Sequence, residues 1–370
     1  MNSNTKIDIA LLGGGRWGRV LAGELIRILP PDSTIRWVTK HDKRNREAWI
    51  AEHGQSRMLH CKSISQALPV DIAIVANRPE GHVDAIRDFL NAGVNVLTEK
   101  PLSLSADDAT ELIALAKRNR LVFGVNLLFT YASYLNDFAS KIDRDGIRRV
   151  LIEWCDPWVT DRYGEIKRAD YFTPITDDML PHCWSILRCL LPSTSALRID
   201  HVSYSPDASV IGAVWGDVDV EIALSRRSPN RVRRLSVEAS DSASLDFSIE
   251  PGISRIGETE FKEQWTGSRP LERSLTSFIH AVTDSHIDWK LSAESCIDSV
   301  TSAEQASIFL AADQDRLLQE LGRDLDDLRV VQTIVDRVAP TKNKLWPRME
   351  LQTEKDQQAA ALIWSKEIWG

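Results

Sequence analysis

The amino-acid sequence predicts an α/β domain with a doubly wound parallel sheet, followed by an α+β domain with a mostly antiparallel open sheet. Three observations predict this order. Short apolar runs alternate with helical patterns over the first 125 residues, a glycine-rich turn stands between the first run and the first helix, and residues 198–248 change to a period of two. The chain of 370 residues is long enough for about two such domains.

The first domain, predicted over residues 1–125, contains short apolar runs that are typical of parallel strands buried on both faces. Helical patterns separate these runs, and Pro30 and Pro31 end the first helix. The predicted strands cover residues 7–12, 34–39, 70–76, 94–98 and 121–125, and the predicted helices cover residues 16–29, 46–53, 81–92 and 106–118.

The second domain is predicted over residues 126–314 and carries a different pattern. In residues 217–224 every second side chain is Val, Ile or Leu, which predicts a strand with one buried and one wetter face. Residues 315–370 are predicted to form a C-terminal helical extension, in which a helix over 315–338 ends before Pro340. Further helices are predicted over residues 177–191, 270–283 and 293–312.

Composition and charge exclude several classes of function. The formal net charge of -8 argues against a general nucleic-acid or membrane-surface binder, because affinity for polyanions depends on Lys and Arg. No run reaches the roughly 18 apolar residues of a membrane span. The 5 cysteines include no CxxC pair, which favours neither a metal site nor a disulfide framework and predicts a reducing, cytoplasmic location. The expected partner is a small-molecule substrate.

A glycine-rich turn follows the first predicted strand and opens the first predicted helix. Gly13, Gly15 and Gly18 satisfy the GxGxxG pattern, which combines a tight turn, close approach of backbone to a pyrophosphate and close helix packing. The helix N-terminus offers N–H groups to the anion. The pattern in this position predicts a dinucleotide-binding Rossmann domain, and we expect Arg16 and Trp17 of the same turn to lie beside the cofactor.

The end of the second predicted strand bears on the choice between NADP and NAD. The dinucleotide fingerprint expects a carboxylate about 20 residues after the glycines, where it holds the ribose 2′-hydroxyl. The strand instead ends at Thr39. Three cations follow it, namely Lys40, Lys43 and Arg44. This cluster favours a 2′-phosphate, so we expect NADP to be bound in part by Thr39, Lys40 and Arg44. Asp42 leaves NAD open.

Two further motifs carry a resemblance to a known family. The first joins Pro79 and His82 to Ala92-Gly93, Val96 and Glu99-Lys100-Pro101, and the second is the Asp-x-x-x-His pair of Asp178 and His182. In these motifs the chain resembles, over about residues 5–312, the glucose-fructose oxidoreductase / inositol dehydrogenase / MocA (Gfo/Idh/MocA) family. The resemblance implies an NAD(P)-dependent oxidoreductase with a Rossmann domain, a glyceraldehyde-phosphate-dehydrogenase-like second domain, and assembly into homodimers or homotetramers.

The resemblance also implies roles for residues. Lys100, Asp178 and His182 are implied as the catalytic group, and a cis Lys100–Pro101 peptide bond is expected. His82 is expected to support the site rather than to react. The residues implied at the cofactor are Ala76, Asn77, Pro79, His82, Glu99, Lys100 and Asn126.

The spacing and chemistry of the implied catalytic group agree with this role. Asp178 and His182 are four residues apart on a predicted helix, so they share one face. A His can hold or release the proton that accompanies hydride transfer near neutral pH, and Lys100 can place a positive charge beside a developing alkoxide. Asp177 remains a rival for the role of Asp178, which is itself a candidate helix N-cap.

The match to the family weakens near the expected substrate. The Arg that often follows Asn126 in the family is absent, and Arg78 stands where Thr is common. We expect the segment 154–171 to contact the substrate, and its cations and aromatic rings favour an anionic or planar molecule. The substrate contacts predicted within it are Trp158, Arg162, Tyr163 and Tyr171.

The sequence therefore predicts hydride transfer between nicotinamide C4 and a C–OH or C=O group of a small sugar-like or secondary-metabolite substrate. An NADPH-dependent imine reductase of natural-product biosynthesis is one alternative. A catalytically inactive, dinucleotide-binding regulator is the other. Retention of all three implied catalytic residues argues against the regulator.

Overall fold

A computed structural model shows how the chain folds. It describes residues 6–39, 43–53, 57–157, 159–162, 165–168, 173–191, 195–205, 208–226, 228–284 and 286–325. The chain forms two compact units, each assembled from stretches that are far apart in sequence. The first unit comprises residues 1–139, 184–191 and 264–301, and the second comprises residues 140–183, 192–263 and the described residues from 302 onward.

The early part of the chain alternates strands and helices, as predicted. Its elements are β1 (Ile9–Leu12), α1 (Arg16–Ile28), β2 (Ile35–Val38), α2 (Lys43–His53), β3 (Met58–Cys61), α3 (Ile64–Ala67), β4 (Ile72–Val75), α4 (His82–Asn91), β5 (Asn95–Glu99), α5 (Ala106–Arg118), β6 (Phe123–Asn126) and α6 (Ser133–Lys141). The six strands form one parallel sheet in the order β3-β2-β1-β4-β5-β6. The predicted doubly wound sheet is therefore confirmed, with β1 and β4 at its centre.

Strand β3 is absent from the sequence prediction. It lies at the edge of the sheet, where Leu59 is 52% exposed. His60 interrupts its short apolar sequence, so the segment lacks the continuous apolar run that marks the central strands.

In the core of the first unit, side chains of α1 and of the later helix Pro270–Asp284 pack against the central strands. Leu21 and Leu25 of α1 are fully buried against the same cluster that holds Ile9, Leu11 and Trp37. Burial of each such side chain contributes roughly 1.5–3 kcal/mol to the free energy of unfolding. This packing fixes the positions of β1 and β2, and therefore of the turn that follows β1.

The later part of the chain is dominated by strands. Its elements are β7 (Arg149–Cys155), β8 (Val159–Arg162), β9 (Glu165–Arg168), α7 (Ile175–Leu190), β10 (Leu197–Ser205), β11 (Ala208–Trp215), β12 (Val218–Ser225), β13 (Val232–Glu238), β14 (Ser242–Asp246), β15 (Ile253–Ile256), β16 (Thr259–Lys262), α8 (Pro270–Asp284) and α9 (Ile297–Leu325).

The strands of the second unit form an eight-stranded open sheet in the order β10-β11-β12-β7-β13-β14-β15-β16. Strands β7 and β12 are parallel, and every other neighbouring pair in this sheet is antiparallel. Strands β8 and β9 form a separate two-stranded sheet. The predicted mostly antiparallel open sheet is confirmed.

Helix α9 differs from the prediction of a helix over 293–312 followed by a second one from 315. It continues without a break to Leu325, because no Pro or Gly stands between residues 312 and 321 to end it. None of the helices in the described ranges combines the length and apolar character that a membrane crossing requires.

Candidate active site

In the turn after β1, two of the three glycines of the GxGxxG pattern have no room for a side chain, and the third has free space beside it. Gly13 has a φ of 137°, and a Cβ there would lie 2.3 Å from the carbonyl oxygen of Ala76 at the end of β4. A Cβ on Gly18 would lie 2.2 Å from the carbonyl oxygen of Gly13, so α1 can start this close to β1 only without a side chain. No described atom lies within 4 Å of a Cβ on Gly15. Gly15 is therefore the point at which a ligand can approach the backbone.

Helix α1 begins at Arg16, directly after this turn. Its N-cap residue Gly15 makes no side-chain hydrogen bond, and the first turn of the helix contains no acidic residue. The first N–H groups of a helix carry partial positive charge, and a carboxylate among them would compete with a bound anion. The start of α1 therefore suits a pyrophosphate group.

A buried tryptophan of β2 supports the turn. Trp37 is fully buried, and its indole N–H donates a 2.8 Å hydrogen bond to the carbonyl oxygen of Gly13. The N–H of Gly13 in turn donates to the carbonyl of Val38 over 3.2 Å. Sequence analysis missed Trp37, because no local pattern marks an indole that reaches a carbonyl 24 residues earlier.

Thr39 is buried at the position where the fingerprint expects a carboxylate. Its Oγ1 lies 3.0 Å from Nε2 of His60 on β3, and its N–H donates to the carbonyl of Cys61. Lys40 lies outside the described residues, and the structure describes α2 without the side chain of Arg44. The preference for NADP therefore stays a prediction.

His82 links the loops that follow β4 and β5. It is 1% exposed, its Nδ1 lies 2.7 Å from the carbonyl oxygen of Pro101, and its Nε2 lies 3.1 Å from that of Asn77. Burial lowers the pKa of His82, and the nearby charge of Lys100 acts in the same direction. Both ring nitrogens face backbone carbonyls, which suits the supporting role expected for this residue.

The ends of β5 and β6 are joined by polar side chains. The amide of Asn126 donates a 2.6 Å hydrogen bond to Oε1 of Glu99, and the hydroxyl of Ser274 on α8 donates to Oδ1 of Asn126 over 2.6 Å. Burial raises the pKa of Glu99, while polar contacts from Trp17 and Asn126 oppose that rise. These bonds orient the strand end that precedes Lys100. Ser274 was missed, since it comes from a helix 148 residues away from Asn126.

Lys100 follows β5 directly and is partly buried. The peptide bond between Lys100 and Pro101 is cis, as the family resemblance implied. The charge of Lys100 also lowers the pKa of Glu99, against the larger effect of burial. Lys100, Glu99 and Asn126 therefore cluster at the carboxyl edge of the parallel sheet, where ligands of doubly wound folds bind.

Residues 175–183 of helix α7 belong to the second unit and include two partly exposed polar residues. Among residues 175–183, Asp178 and His182 are partly exposed and every other residue is buried. The two are one helical turn apart and share a face, as the spacing predicts. We call this pair the α7 face.

Asp177 is directed to a different environment from Asp178. It is 4% exposed, and its Oδ2 accepts a 2.6 Å hydrogen bond from the hydroxyl of Ser307 on α9. Burial raises the pKa of Asp177 to about 6, although the hydrogen bond from Ser307 acts in the opposite direction. Asp177 therefore belongs to the interior of the unit, and Asp178 is the carboxylate on the face of His182.

Two long-range partners hold the α7 face. Nη2 of Arg226, a buried residue just after β12, lies 3.4 Å from Oδ2 of Asp178 and donates to the carbonyl of Thr173 over 2.7 Å. The imidazole of His182 is stacked on the indole of Trp154 from β7, with ring centroids 4.9 Å apart and an interplanar angle of 16°. Arg226 was not among the predicted site residues, because its contact with Asp178 spans 48 residues. Trp154 lies at the start of the segment that was predicted to contact the substrate, but its contact with His182 was not predicted.

The predicted substrate contacts fall on residues whose side chains the structure does not describe. Trp158, Tyr163 and Tyr171 lie outside the described residues, and Arg162 belongs to β8, of which the side chains are not described. Among the described residues, no group of three or more His, Cys, Asp or Glu side chains could hold a metal ion.

Comparison with known proteins adds a family match and partial relatives. Residues 7–127 match the GFO_IDH_MocA model, an oxidoreductase family with an NAD-binding Rossmann fold. The chain is 28% identical over 165 residues to human biliverdin reductase A, which is 43% of this chain and 53% of that protein. It is 30% identical over 94 residues to dTDP-3,4-didehydro-2,6-dideoxy-alpha-D-glucose 3-reductase of Saccharopolyspora spinosa, which is 25% and 28% of the two. The chain thus spans about half and about a quarter of these relatives.

Solved structures share the fold over most of the chain. UDP-N-acetylglucosamine 3-dehydrogenase GnnA from Acidithiobacillus ferrooxidans matches with a TM-score of 0.70 and 17% identity, covering 84% of this chain and 99% of that one. GenD2 from gentamicin A biosynthesis, in complex with NAD, matches with a TM-score of 0.68 and 19% identity, covering 84% and 96%. KijD10, a 3-ketoreductase from Actinomadura kijaniata in complex with NADP and TDP-benzene, matches with 0.66 and 15%, covering 82% and 98%. The N-terminal part of the chain, residues 7–127, therefore matches the Gfo/Idh/MocA oxidoreductase family with its NAD-binding Rossmann fold.

Proposed function

We propose that this protein is an NAD(P)-dependent oxidoreductase that transfers hydride between nicotinamide C4 and a C–OH or C=O carbon of a small, sugar-like substrate. The single observation that carries the proposal is the α7 face, where a carboxylate and an imidazole are the partly exposed groups of a buried helix stretch. An acid and a base one helical turn apart are what proton transfer to or from a substrate oxygen requires. The family match of residues 7–127 supplies the cofactor class.

The turn after β1 fits the proposed cofactor. Gly15 and the start of α1 would hold its pyrophosphate, Thr39 and the cations after it would hold the adenosine ribose, and Asn77 and the Glu99–Asn126 pair would flank the nicotinamide ring. The fit is supported by the open space at Gly15, in contrast to Gly13 and Gly18. When bound, the cofactor supplies or accepts a hydride, which carries two electrons and no proton.

The side chains then have separate roles. In the reducing direction, His182 gives a proton to the substrate oxygen as the carbon gains the hydride, and in the oxidising direction it removes the hydroxyl proton. Asp178 orients the substrate hydroxyl or the imidazole. Lys100 stabilises negative charge on the substrate oxygen during the transfer.

For the cofactor, we propose a preference for NADP over NAD. The support is the absence of a carboxylate at Thr39 together with Lys40 and Arg44 in the sequence. Replacing both cations by Ala should weaken binding of NADPH by about tenfold or more and leave binding of NADH nearly unchanged, as measured by calorimetry. The exposed Arg118 of α5, changed to Ala, is the control. Equal losses for both cofactors would contradict the preference.

The relatives narrow the substrate class that we propose. The names of two of them, from Saccharopolyspora spinosa and from Acidithiobacillus ferrooxidans, state nucleotide-linked sugars as the molecules they act on. We therefore propose oxidation or reduction at a ring carbon of a sugar that carries a nucleotide diphosphate. Assembly into a homodimer or homotetramer also stays a prediction, which light scattering can check.

A second candidate is reduction of a planar, anionic molecule of the biliverdin class. The observation that favours it is the 28% identity to human biliverdin reductase A, which extends over more of this chain than the match to the sugar reductase. The aromatic and cationic segment 154–171 agrees with such a substrate in composition. NADPH-dependent loss of the biliverdin absorption band would establish it.

The proposed function is tested with cofactor deuterated at C4 and a panel of nucleotide-linked ketosugars, biliverdin and cyclic imines. Deuterium on a ring carbon of the sugar product is the expected result. Deuterium in the product of an imine only would replace the proposal by imine reduction. Cofactor binding without label in any product would favour the regulator.

A further inference from the structure

We propose that Trp154 and Arg233 are a positioning pair for His182: the indole face sets the plane of the imidazole, and the buried guanidinium on the same indole sets the charge beside it. The proposal rests on the proposed function, in which His182 transfers the proton. All the residues involved belong to the second unit.

His182 and Arg233 both contact the ring of Trp154. The ring of His182 lies 4.9 Å from that of Trp154 at an angle of 16°, which is a stacked arrangement rather than an edge contact. The guanidinium carbon of Arg233 lies 3.8 Å from the ring centroid of the same indole. Trp154 on β7 and Arg233 on β13 are direct partners across the two strands. The indole is therefore in contact with the proposed acid–base group and with a cation at once.

The guanidinium of Arg233 is buried in the second unit. Arg233 is 3% exposed, forms a 2.7 Å ion pair with Asp156, and donates to the carbonyl of Cys155 over 2.7 Å. A buried ion pair is seldom more stabilising than apolar side chains of the same volume, because both ions lose their hydration. Stability alone therefore gives little reason for a guanidinium at this place, whereas an effect on the neighbouring imidazole does.

The charged groups linked to His182 through its neighbours come from three elements of this unit. Arg233, paired with Asp156, acts from the sheet, Asp178 acts from one turn earlier on α7, and Arg226 acts from the end of β12 through its contact with Asp178. A nearby positive charge disfavours the protonated imidazole. Removing the charge of Arg233 should therefore make His182 easier to protonate, and the carboxylate left on Asp156 acts in the same direction.

The first experiment tests the orientation of the ring. In the full-length protein, Trp154→Leu should lower kcat by about 10–100-fold with the KM of the cofactor unchanged, because the imidazole loses its stacking surface. Trp154→Phe keeps an aromatic face and should restore most of the loss. Equal kcat values for Trp154→Leu and Trp154→Phe, each folded by circular dichroism, would overturn the orienting role.

The second experiment tests the charge and needs no substrate. The protonation of His182 is followed by NMR of the full chain with ring-labelled histidine, and the signal is assigned with His182→Asn. Arg233→Gln should raise the measured pKa of His182 by roughly one unit. Arg234→Gln is the matched control, because Arg234 is the next residue of β13 but is 45% exposed and is paired with Glu153 and Asp246. It should leave the value unchanged.

One further variant tests the effect of Arg233 if Arg233→Gln alone does not fold. If Arg233→Gln does not fold, Arg233→Gln combined with Asp156→Asn removes both ions and should still raise the pKa of His182, by a smaller amount. No change in either variant would overturn the proposal. Full turnover in His182→Asn would instead contradict the proposed function, and the NMR result would still decide whether Arg233 acts on the imidazole.

Discussion

The turn after β1 and the α7 face are built in opposite ways. The turn works through its backbone: Gly13 and Gly18 allow close approach, Gly15 leaves space, and α1 begins within the same few residues. The α7 face works through side chains held by distant partners. Asp178 forms an ion pair with Arg226, and the ring of His182 stacks on that of Trp154. Both partners lie outside α7, Trp154 on β7 and Arg226 directly after β12.

This difference separates binding from chemistry. A backbone site recognises phosphate by shape and by N–H groups, and it has no group that titrates near neutral pH. A pair of an imidazole and a carboxylate adds little to the binding of a dinucleotide but can move a proton. The comparison therefore predicts that changes in the turn act on cofactor affinity, whereas changes in the reactive side chains act on turnover.

The largest expected effect is on Lys100. Lys100→Ala should lower kcat by roughly 10²–10³-fold, since the charge beside the substrate oxygen is lost, and should leave the Kd of NADPH within about twofold. Steady-state kinetics and calorimetry measure the two quantities. Lys117→Ala, at an exposed ion pair with Glu294 on the surface, is the control and should change neither. Unaltered kcat in Lys100→Ala would remove this residue from the mechanism.

The adjacent carboxylates of α7 provide the next test. The buried Asp177 has a pKa raised to about 6 from its ordinary value of 3.8, so the folded protein holds that proton longer than the unfolded chain does. Its stabilising contribution is full below pH 3.8 and is lost as the pH rises through about 6. Asp177→Asn should therefore become more stable relative to the parent protein by roughly 2 kcal/mol between pH 4 and pH 7.

The same pair also separates stability from turnover. Asp178→Asn should lower kcat by about 10-fold or more, because Asp178 is the partly exposed carboxylate on the face of His182. Chemical denaturation at several pH values and steady-state kinetics measure the two effects. A loss of turnover in Asp177→Asn that equals the loss in Asp178→Asn would show that the two carboxylates are not separated as described.

The third test compares two glycines of the turn. Gly13→Ala should lower the free energy of unfolding by about 2 kcal/mol, because its φ of 137° and the approach of Ala76 leave no room for a side chain. Gly15→Ala meets no described atom, so it should fold normally and instead weaken NADPH binding by about tenfold. Full NADPH affinity in Gly15→Ala would place the pyrophosphate elsewhere.

The smallest expected effect is at Trp37, whose side chain donates a hydrogen bond to the turn from β2. Trp37→Phe removes the indole N–H that reaches the carbonyl of Gly13, and this should cost about 1 kcal/mol of stability. Thermal unfolding measures it, with Trp49→Phe as a control for loss of an indole in contact with Trp37. If both variants lose the same amount, the hydrogen bond adds nothing beyond packing.

The contrast between local and long-range contacts explains which features could be predicted from the sequence. The alternation of strands and helices, the glycine-rich turn and the i, i+4 pair on α7 follow from local spacing, because glycine positions and hydrophobic periods act within a few residues. Trp37, Arg226 and Ser274 could not be found in this way, since their partners lie 24 to 148 residues away. Strand β3 was not predicted because it is short and His60 interrupts its apolar residues.

The choice between Asp177 and Asp178 shows the same limit. Adjacent carboxylates at the start of a helix look alike in sequence, and only the contact of Asp177 with Ser307 on α9 separates them. The positions of Lys40 and of Trp158, Tyr163 and Tyr171 fall outside the described residues, so the NADP preference and the substrate contacts remain predictions.

His182→Asn tests whether the imidazole on α7 carries out the proton transfer without contributing to cofactor binding. With the full-length protein and a substrate that turns over, turnover and the Kd of NADPH are measured side by side in the variant and the parent. The account predicts a fall in kcat of about 100-fold or more at an unchanged Kd. Turnover at the parental rate, or a loss of NADPH affinity as large as the loss of turnover, would contradict it.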